Sequence, residues 1–398
     1  MNVLFLTLVE IDSVEDRGIY QDLLRKFRNE GHNVTIVTPV ERRKGISTNY
    51  KVKDGVSILQ VKTLNIQKAH IIEKGIGTLA IEYQYLLAIK KYASDKKFDL
   101  VLYSTPPITF AKVISYIKKR DHAYSYLLLK DIFPQNAVDI GMLKEKGFLH
   151  RQFLNKEKKL YQISDTIGCM SPANAEFILR HNPEINSQKV EVNPNTIEPI
   201  EINYTDEEKK SIRQQYQIPI DKRVLVYGGN LGKPQGVDFL LETIAGTKNE
   251  NAFFLIVGNG TEFPKIKQWF ETNNPPNAKL LQSLPKEDYD KLLASSDIGL
   301  IFLDENFLIP NFPSRLLSYL EMQKPVITAT DPNTDIGDIV EKNGCGLKVL
   351  AGDIHAMNKA VDTLVSENLK TFQENCISLL HNEYLVDKSY QLIIKRIL

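Results

Sequence analysis

The chain has 398 residues, 42% of them apolar and 25% charged, with a formal net charge of +1. This composition excludes a low-complexity, collagenous or disordered chain, and the length calls for two cores of ordinary size. Cys169, Cys345 and Cys376 are too few and too scattered for a disulfide framework or a metal site, so reduced thiols in a cytoplasmic protein are expected.

The first apolar run, Val3 to Val9, is cut off by Glu10 and Asp12 and reads as a β-strand, not a signal peptide. No apolar run is long enough to span a membrane. In "GIYQDLLRKFRNEGH", Ile19, Leu23, Leu24 and Phe27 recur at helical spacing and Gly31 ends the pattern. The strand "NVTIVTP" follows. "FDLVLYS", "ITFAKVISYIKKR", "AYSYLLLKDIF", a helix near 150–163, "DTIGCMS" and "QKVEVNPN" continue the alternation. Apolar strands alternating with amphipathic helices predict a parallel sheet covered on both faces.

"NPNTIEP", residues 193–199, reads as a linker. A second series then runs from "RVLVYGG" through "VDFLLETIAG", "AFFLIVGNG", "EFPKIKQWFE", "AKLLQS", "EDYDKLLASS", "DIGLIFLD" and "SRLLSYLEMQ" to "KPVITAT". The expected fold is therefore α/β, with two doubly wound Rossmann-like domains facing a central cleft. The expected domains are 1–196, completed by a C-terminal helix over 384–398, and 197–383. Ligands of such sheets bind at the carboxyl ends of the strands.

Loops at those ends suit a nucleotide diphosphate. "GGNLGKPQG", 228–236, lets backbone N–H groups approach an anion just before a helix N-terminus. Gly229, Asn230, Lys233 and Gln235 are its candidate donor-binding residues, and Gly258 and Asn259 of "VGNG" repeat the device. In "FPSRLLSYLEMQKPV", 312–326, Pro313 suits a first helical turn, and Ser314 offers a hydroxyl. Arg315 offers forked, charge-assisted hydrogen bonds to phosphate. In the first domain, Asp131 follows a strand and suits either a general base for an acceptor hydroxyl or a helix cap. Lys130 beside it is a candidate site cation. Arg17 and Gly18, between the first strand and first helix, are candidates for acceptor binding. The seven histidines, His32, His70, His122, His150, His181, His355 and His381, show no metal spacing and read as structural.

"GGNLGKPQGVDFLLE", "VGNG" and "FPSRLLSYLEMQKPVITA" resemble the donor-binding half of family 4 glycosyltransferases, which have the GT-B fold. "KDIFPQNAVDIGML", "MSPANAEFI" and "VEVNPNTIEP" are similar to the first half of one subgroup, bacterial transferases of capsule and O-antigen synthesis. The resemblance covers most of the chain and is weakest between about 40 and 95. It implies a retaining glycosyltransferase that moves a sugar, often N-acetylated or deoxy, from a UDP-sugar to a lipid-linked saccharide, with no metal cofactor. The chain departs from the wider family where an Arg and a Lys are usual in the first donor loop, since Asn230 and Gln235 stand there. The family's Glu-x7-Glu motif is replaced by Pro310 and Ser318, and Lys130 stands at the family's catalytic histidine. The diphosphate would then be held by Lys233, Arg315 and two helix N-termini.

Residues 1–200 carry more base than acid and the remainder more acid than base. Arg25, Lys26, Arg28, Arg42, Arg43, Lys44 and the "KKR" run at 118–120 would give the first half a contact with an anionic membrane, at the inner face of the cell membrane. No nucleic-acid partner is expected. Two other readings are a nucleotide-sugar 2-epimerase, which would turn over without an acceptor, and a non-catalytic sugar-nucleotide sensor, which would bind without turnover.

Overall fold

A computed structural model describes residues 1–65, 71–201 and 203–397, and the chain divides into two compact units. The first is Met1–Glu198 together with the C-terminal segment from Leu385, and the second is Pro199–Tyr384.

The first unit begins with β1 (Asn2–Leu6), α1 (Ile19–Asn29), β2 (Asn33–Glu41), β3 (Asn49–Lys53), β4 (Val56–Thr63) and α2 (Ile71–Tyr92). It continues with β5 (Leu100–Ser104), α3 (Ala111–Asp121), β6 (Tyr124–Leu129), α4 (Gln135–Asp139) and α5 (Phe148–Ile163). β7 (Thr166–Cys169), α6 (Pro172–His181) and β8 (Val190–Val192) complete its main segment. The strands form one sheet in the order β3-β4-β2-β1-β5-β6-β7-β8. All neighbours are parallel except the β3–β4 hairpin. That hairpin and α2 occupy the stretch where the family resemblance is weakest.

The second unit runs α7 (Asp206–Gln215), β9 (Arg223–Asn230), α8 (Val237–Gly246), β10 (Ala252–Asn259), α9 (Phe263–Asn273) and β11 (Ala278–Gln282). Then come α10 (Lys286–Ala294), β12 (Ile298–Phe302), α11 (Arg315–Glu321), β13 (Val326–Thr330), α12 (Ile336–Lys342) and β14 (Gly346–Leu350). α13 (Ile354–Ser366) and α14 (Lys370–Glu383) close it, and α15 (Val386–Lys395) returns to the first unit. The wholly parallel sheet is ordered β11-β10-β9-β12-β13-β14, so the winding direction reverses between β9 and β12. Each sheet has apolar strands because helices cover both faces. In β1, Val3, Leu4, Phe5 and Leu6 have no exposed surface.

α1 buries Tyr20, Leu23, Leu24 and Phe27 on one stripe. Gly31, at φ 81°, ends it, with the N–H of Gly31 bonded to Arg28 O and that of His32 to Phe27 O. On this helix lies α15. Tyr390 meets Phe27 with ring centroids 5.0 Å apart and its Oη lies 2.9 Å from His32 Nε2. Val386, Tyr390 and Ile393 enter the same apolar cluster as Val3, Phe5 and Leu24.

Two expectations are corrected here. Residues 193–197, read as linker, are buried. Ile197 bridges to Leu385 and its carbonyl accepts the Val386 N–H at 2.9 Å, so the segment packs in the first unit. The cations assigned to a membrane are largely paired with acids. Arg25 meets Asp22 and Glu198, Lys26 meets Glu30 and Asp387, and Arg28 meets Glu15. Arg43 meets Glu41, Lys44 meets Glu10, Lys118 meets Asp165 and Arg120 meets Asp121. Their charge is neutralised locally.

The cysteines are also less scattered than their numbering. Cys376 Sγ lies 3.8 Å from Cys345 O, and all three thiols are free and buried. His70 lies outside the described residues. Among those residues no helix is long and apolar enough to cross a membrane.

Ile393 has no exposed surface, and truncating such a side chain leaves a cavity. Ile393→Ala is expected to destabilise the first unit by about 2–5 kcal/mol, measured by urea unfolding. An unchanged midpoint would show that α15 contributes nothing to that core.

Candidate functional site

In the second unit, the reversal between β9 and β12 opens the carboxyl ends of two adjacent strands to a ligand. The loops leaving them are tied together, because Asp304 N donates to Pro234 O at 3.1 Å. β9 ends at Gly229 and Asn230, which stand in register with Gly258 and Asn259 of β10. Gly229 has φ 120°, a left-handed region that side chains resist. A Cβ on Gly258 would fall 2.0 Å from Gly229 O. The two glycines therefore let the strand ends close on each other, and they leave a floor of backbone.

Arg315, the first residue of α11, lies over this floor. Its Cζ is 4.3 Å from the centroid of the Tyr227 ring, and Nη2 donates to Gln235 Oε1 at 2.5 Å. Tyr227 Oη lies 2.9 Å from Asn230 O and 3.1 Å from Gln235 Oε1. Tyr319 Oη accepts the Gly228 N–H at 3.4 Å and lies 3.1 Å from Leu300 O, which fastens α11 to the sheet beneath. Arg315 Nη1 is buried and has no hydrogen-bond partner among the described residues. An unsatisfied, buried guanidinium nitrogen is costly unless an anion completes it.

The structure thus brings Gly229, Asn230, Gln235, Gly258, Asn259 and Arg315 together. Gln235 is itself buried, and its oxygen holds Arg315. Lys233 lies in a short 3-10 turn and is exposed. It has no carboxylate partner among the described residues. Ser314 is the N-cap of α11 and makes no side-chain capping bond. Pro313 precedes that cap, so it stands outside the first helical turn where the sequence pattern placed it. Its fixed φ acts on the approach to the helix instead. Ser318 lies one turn further along α11, while Pro310 sits buried in the preceding loop. Tyr227 and Tyr319 were not singled out by sequence reading. Their signal was weak, since a tyrosine in an apolar strand or helix usually means packing.

In the first unit, the corresponding strand ends carry Lys130 and Asp131. Thr105, just after β5, positions both. Its Oγ1 accepts the N–H groups of Lys130 at 3.0 Å and Asp131 at 3.2 Å, and it donates to Asp131 O at 3.0 Å. Both Asp131 oxygens lie 2.7 Å from Asn136 Nδ2. The N-cap of α4 is Pro134, so Asp131 does not cap that helix. Burial pushes the Asp131 carboxyl up to about 6, against the lowering effect of Asn136 and the Ile132 N–H.

Lys130 is also desolvated, which brings its ammonium down to about 7, and Nζ reaches Asn193 O at 3.4 Å. Asn193 has no exposed surface, and its Oδ1 has no partner among the described residues. A further buried acid, Glu157 on α5, was not found from sequence. Burial pushes it up to about 7, the Asp131 charge adds to this, and Tyr161 Oη donates to it at 2.8 Å.

Arg17 and Gly18 lie at the start of α1, on the same end of the sheet. Tyr20 of that helix is near enough to Asp131 for the carboxylate charge to raise its phenol, although burial is the main cause. Gly18 has φ 169°, extended backbone open to any residue, so its conformation does not require glycine. Among the described residues no group of three His, Cys, Asp or Glu is placed to hold a metal ion.

Known proteins share much of this architecture. Residues 208–378 match the model of "Glycosyl transferases group 1". The chain is 22% identical over 367 residues to "Probable glycosyltransferase WbjE" of Pseudomonas aeruginosa, covering 92% of this chain and 89% of that one. Its fold is similar to that of WaaG, a glycosyltransferase involved in lipopolysaccharide biosynthesis, with a TM-score of 0.66 and 14% identity over 98% of this chain and 99% of that chain. It is also similar to Anabaena Alr3699/HepE, solved in complex with UDP, with a TM-score of 0.70 and 14% identity over 99% of each chain. Most of the second unit thus matches the group 1 glycosyltransferase model, and the chain as a whole has the GT-B fold.

Proposed function

We propose that this protein is a retaining, family 4 glycosyltransferase that transfers a sugar, N-acetylated or deoxy, from a UDP-sugar to a lipid-linked saccharide. The product would serve surface polysaccharide synthesis, of the capsule or O-antigen kind. The observation that carries the donor part is the buried Arg315 Nη1 with no hydrogen-bond partner among the described residues, above a glycine floor at the switch point of the sheet. A diphosphate oxygen supplies what that nitrogen lacks. Support for uridine comes from HepE, whose structure holds UDP, and support for a surface polysaccharide comes from WaaG.

In this reading Arg315 is held by Gln235 and Tyr227, so its guanidinium needs little reorganisation when negative charge develops on the departing diphosphate. Lys233, mobile on its stem, adds a second cation, and backbone N–H groups from Gly229 to Asn230 add donors. The diphosphate is held by these groups without a bound metal. Retention of configuration rests on the family resemblance. In the first unit, Asp131 orients the acceptor hydroxyl and takes its proton, and Thr105 and Asn136 fix the carboxylate. Lys130 and Asn193 line the same strand ends and are the polar groups available to a saccharide. The site is cytoplasmic and lies at the inner face of the cell membrane in this proposal.

Arg315→Ala is expected to weaken UDP binding by about 1.5–3 kcal/mol, the range for hydrogen bonds to charged groups. Uridine, which lacks phosphate, should lose much less. Calorimetric titration of both ligands makes the comparison, and equal losses would make Arg315 a structural residue only.

Asp131→Asn should lower turnover by about 10²- to 10⁴-fold with donor affinity unchanged. Wild-type turnover should fall as pH drops through about 6, where Asp131 takes up its proton, and the variant should lack that limb. The stability effect has the opposite sense. The folded carboxyl binds its proton more tightly than the ordinary value of 3.8, so ionising it between 3.8 and about 6 costs the fold stability. At pH 8 the Asn variant should be as stable as wild type or more so, while nearly inactive. A variant that unfolds at lower temperature and keeps its turnover would reduce Asp131 to a structural role.

A further inference from the structure

Most of the cations that sequence reading assigned to a membrane are paired within the fold, yet the first unit presents a different surface of suitable chemistry. Between α4 and the first turn of α5, Met142 is 62% exposed, Phe148 77% and Leu149 58%. The backbone that carries them is fixed. The N–H groups of Met142 and Leu143 both bond Ala137 O, at 2.8 and 3.0 Å, and Lys146 N donates to His150 Nδ1 at 3.1 Å. Arg151 N then bonds Gly147 O at 3.1 Å and starts α5. These side chains therefore face solvent from an ordered turn.

Their surroundings are basic. Lys144, Lys146 and Arg151 are exposed on the same segment, and Lys156 and Lys159 follow on α5. The only acid in 142–149 is Glu145, whose Oε1 is 3.9 Å from Lys146 Nζ. Lys144, Arg151, Lys156 and Lys159 have no carboxylate partner among the described residues. Large apolar side chains ringed by unpaired cations suit the headgroup region of an anionic bilayer, where apolar burial and attraction to lipid phosphate act together. A protein partner of ordinary surface would leave those cations desolvated without matching charge.

The position also connects with the chemistry. Phe133, two residues beyond Asp131, packs its ring against Phe153 of α5 at 5.1 Å. The loop bearing Asp131 thus rests on the helix whose first turn carries Phe148 and Leu149. A surface docked through these residues would set the Asp131 loop close to the bilayer.

We propose that residues 142–149, with the cations of the first turns of α5, form the docking surface of this protein for an anionic lipid bilayer. Its purpose rests on the lipid-linked acceptor proposed above, whereas its argument rests on exposure and charge alone.

The test is co-sedimentation with vesicles of phosphatidylcholine, with or without phosphatidylglycerol. Wild type should partition onto the anionic vesicles and be released by high salt. The double variant Phe148→Ser, Leu149→Ser should partition at least about tenfold less. Lys144→Glu with Lys146→Glu should also lose about tenfold on anionic vesicles and little on neutral ones. Thermal unfolding of each variant checks that these exposed substitutions leave the fold intact. Folded variants that partition like wild type would overturn the proposal, as would wild type that ignores both vesicles. Sedimentation velocity that shows a dimer abolished by Phe148→Ser, Leu149→Ser, with no effect on vesicle binding, would assign the surface to a second copy and overturn it too. Transfer to a detergent-dispersed lipid-linked acceptor by a chain that ignores vesicles would discard this surface and keep the acceptor reading. Vesicle binding lost in the variants, without transfer to any lipid-linked acceptor, would do the reverse.

Discussion

A guanidinium nitrogen held out of water, with no partner among the described residues, is the constraint on which the second unit's candidate site depends. Burying a charge costs several kcal/mol unless hydrogen bonds and opposite charge return it. The fold returns part of that cost to Arg315 through the face of Tyr227 and the oxygen of Gln235. Tyr319 then locks α11 onto Gly228 and Leu300, so the arginine cannot relax toward solvent by moving its helix. The remaining nitrogen, Nη1, has no hydrogen-bond partner among the described residues. The same arrangement explains Gln235. Where the wider family resembled by this chain has a cation, this protein has an amide that aims the one arginine.

The first unit holds a carboxylate at a desolvated strand end. Thr105 grips both peptide N–H groups of Lys130 and Asp131, so their side chains leave the sheet from a fixed backbone. Desolvation then draws the two groups toward neutrality from opposite sides, the acid up to about 6 and the amine down to about 7. A base whose pKa lies near working pH is most effective in proton transfer. Glu157 is pushed in the same direction as Asp131, mainly by burial, and the Asp131 charge adds to the cost of ionising it.

Closure of the first unit depends on residues at the opposite end of the chain from the strands they support. α15 packs on α1 through Tyr390 and Ile393, and Arg396 reaches Glu191 at 2.7 Å. Many basic residues of the unit are engaged in this kind of closure. Lys26 joins α1 to Asp387, and Arg25 joins it to Glu198. Charge asymmetry along the chain was therefore a poor guide to charge on the surface. Lys144 and Arg151, beside Phe148 and Leu149, have no carboxylate partner among the described residues, and sequence reading drew nothing from that pattern.

The sequence by itself determined the α/β class, the two series of strands and helices, and the loops that carry the candidate donor site. Those features are local: alternation of apolar runs, glycines after a strand, and a Pro-Ser-Arg run at a helix start. Even the departures at Asn230, Gln235 and Ser318 were legible, because each is an identity at a position. Only the tertiary structure decided which groups are engaged and which are left open. Gln235 turned inward because Arg315, 80 residues away, arrives beside it. Thr105 became the support of Asp131 because β5 and β6 are neighbours. Cys345 and Cys376 met because α14 returns to the strand edge. Periodicity is set by backbone geometry within a few residues, whereas a hydrogen bond or an ion pair depends on what the sheet order brings alongside.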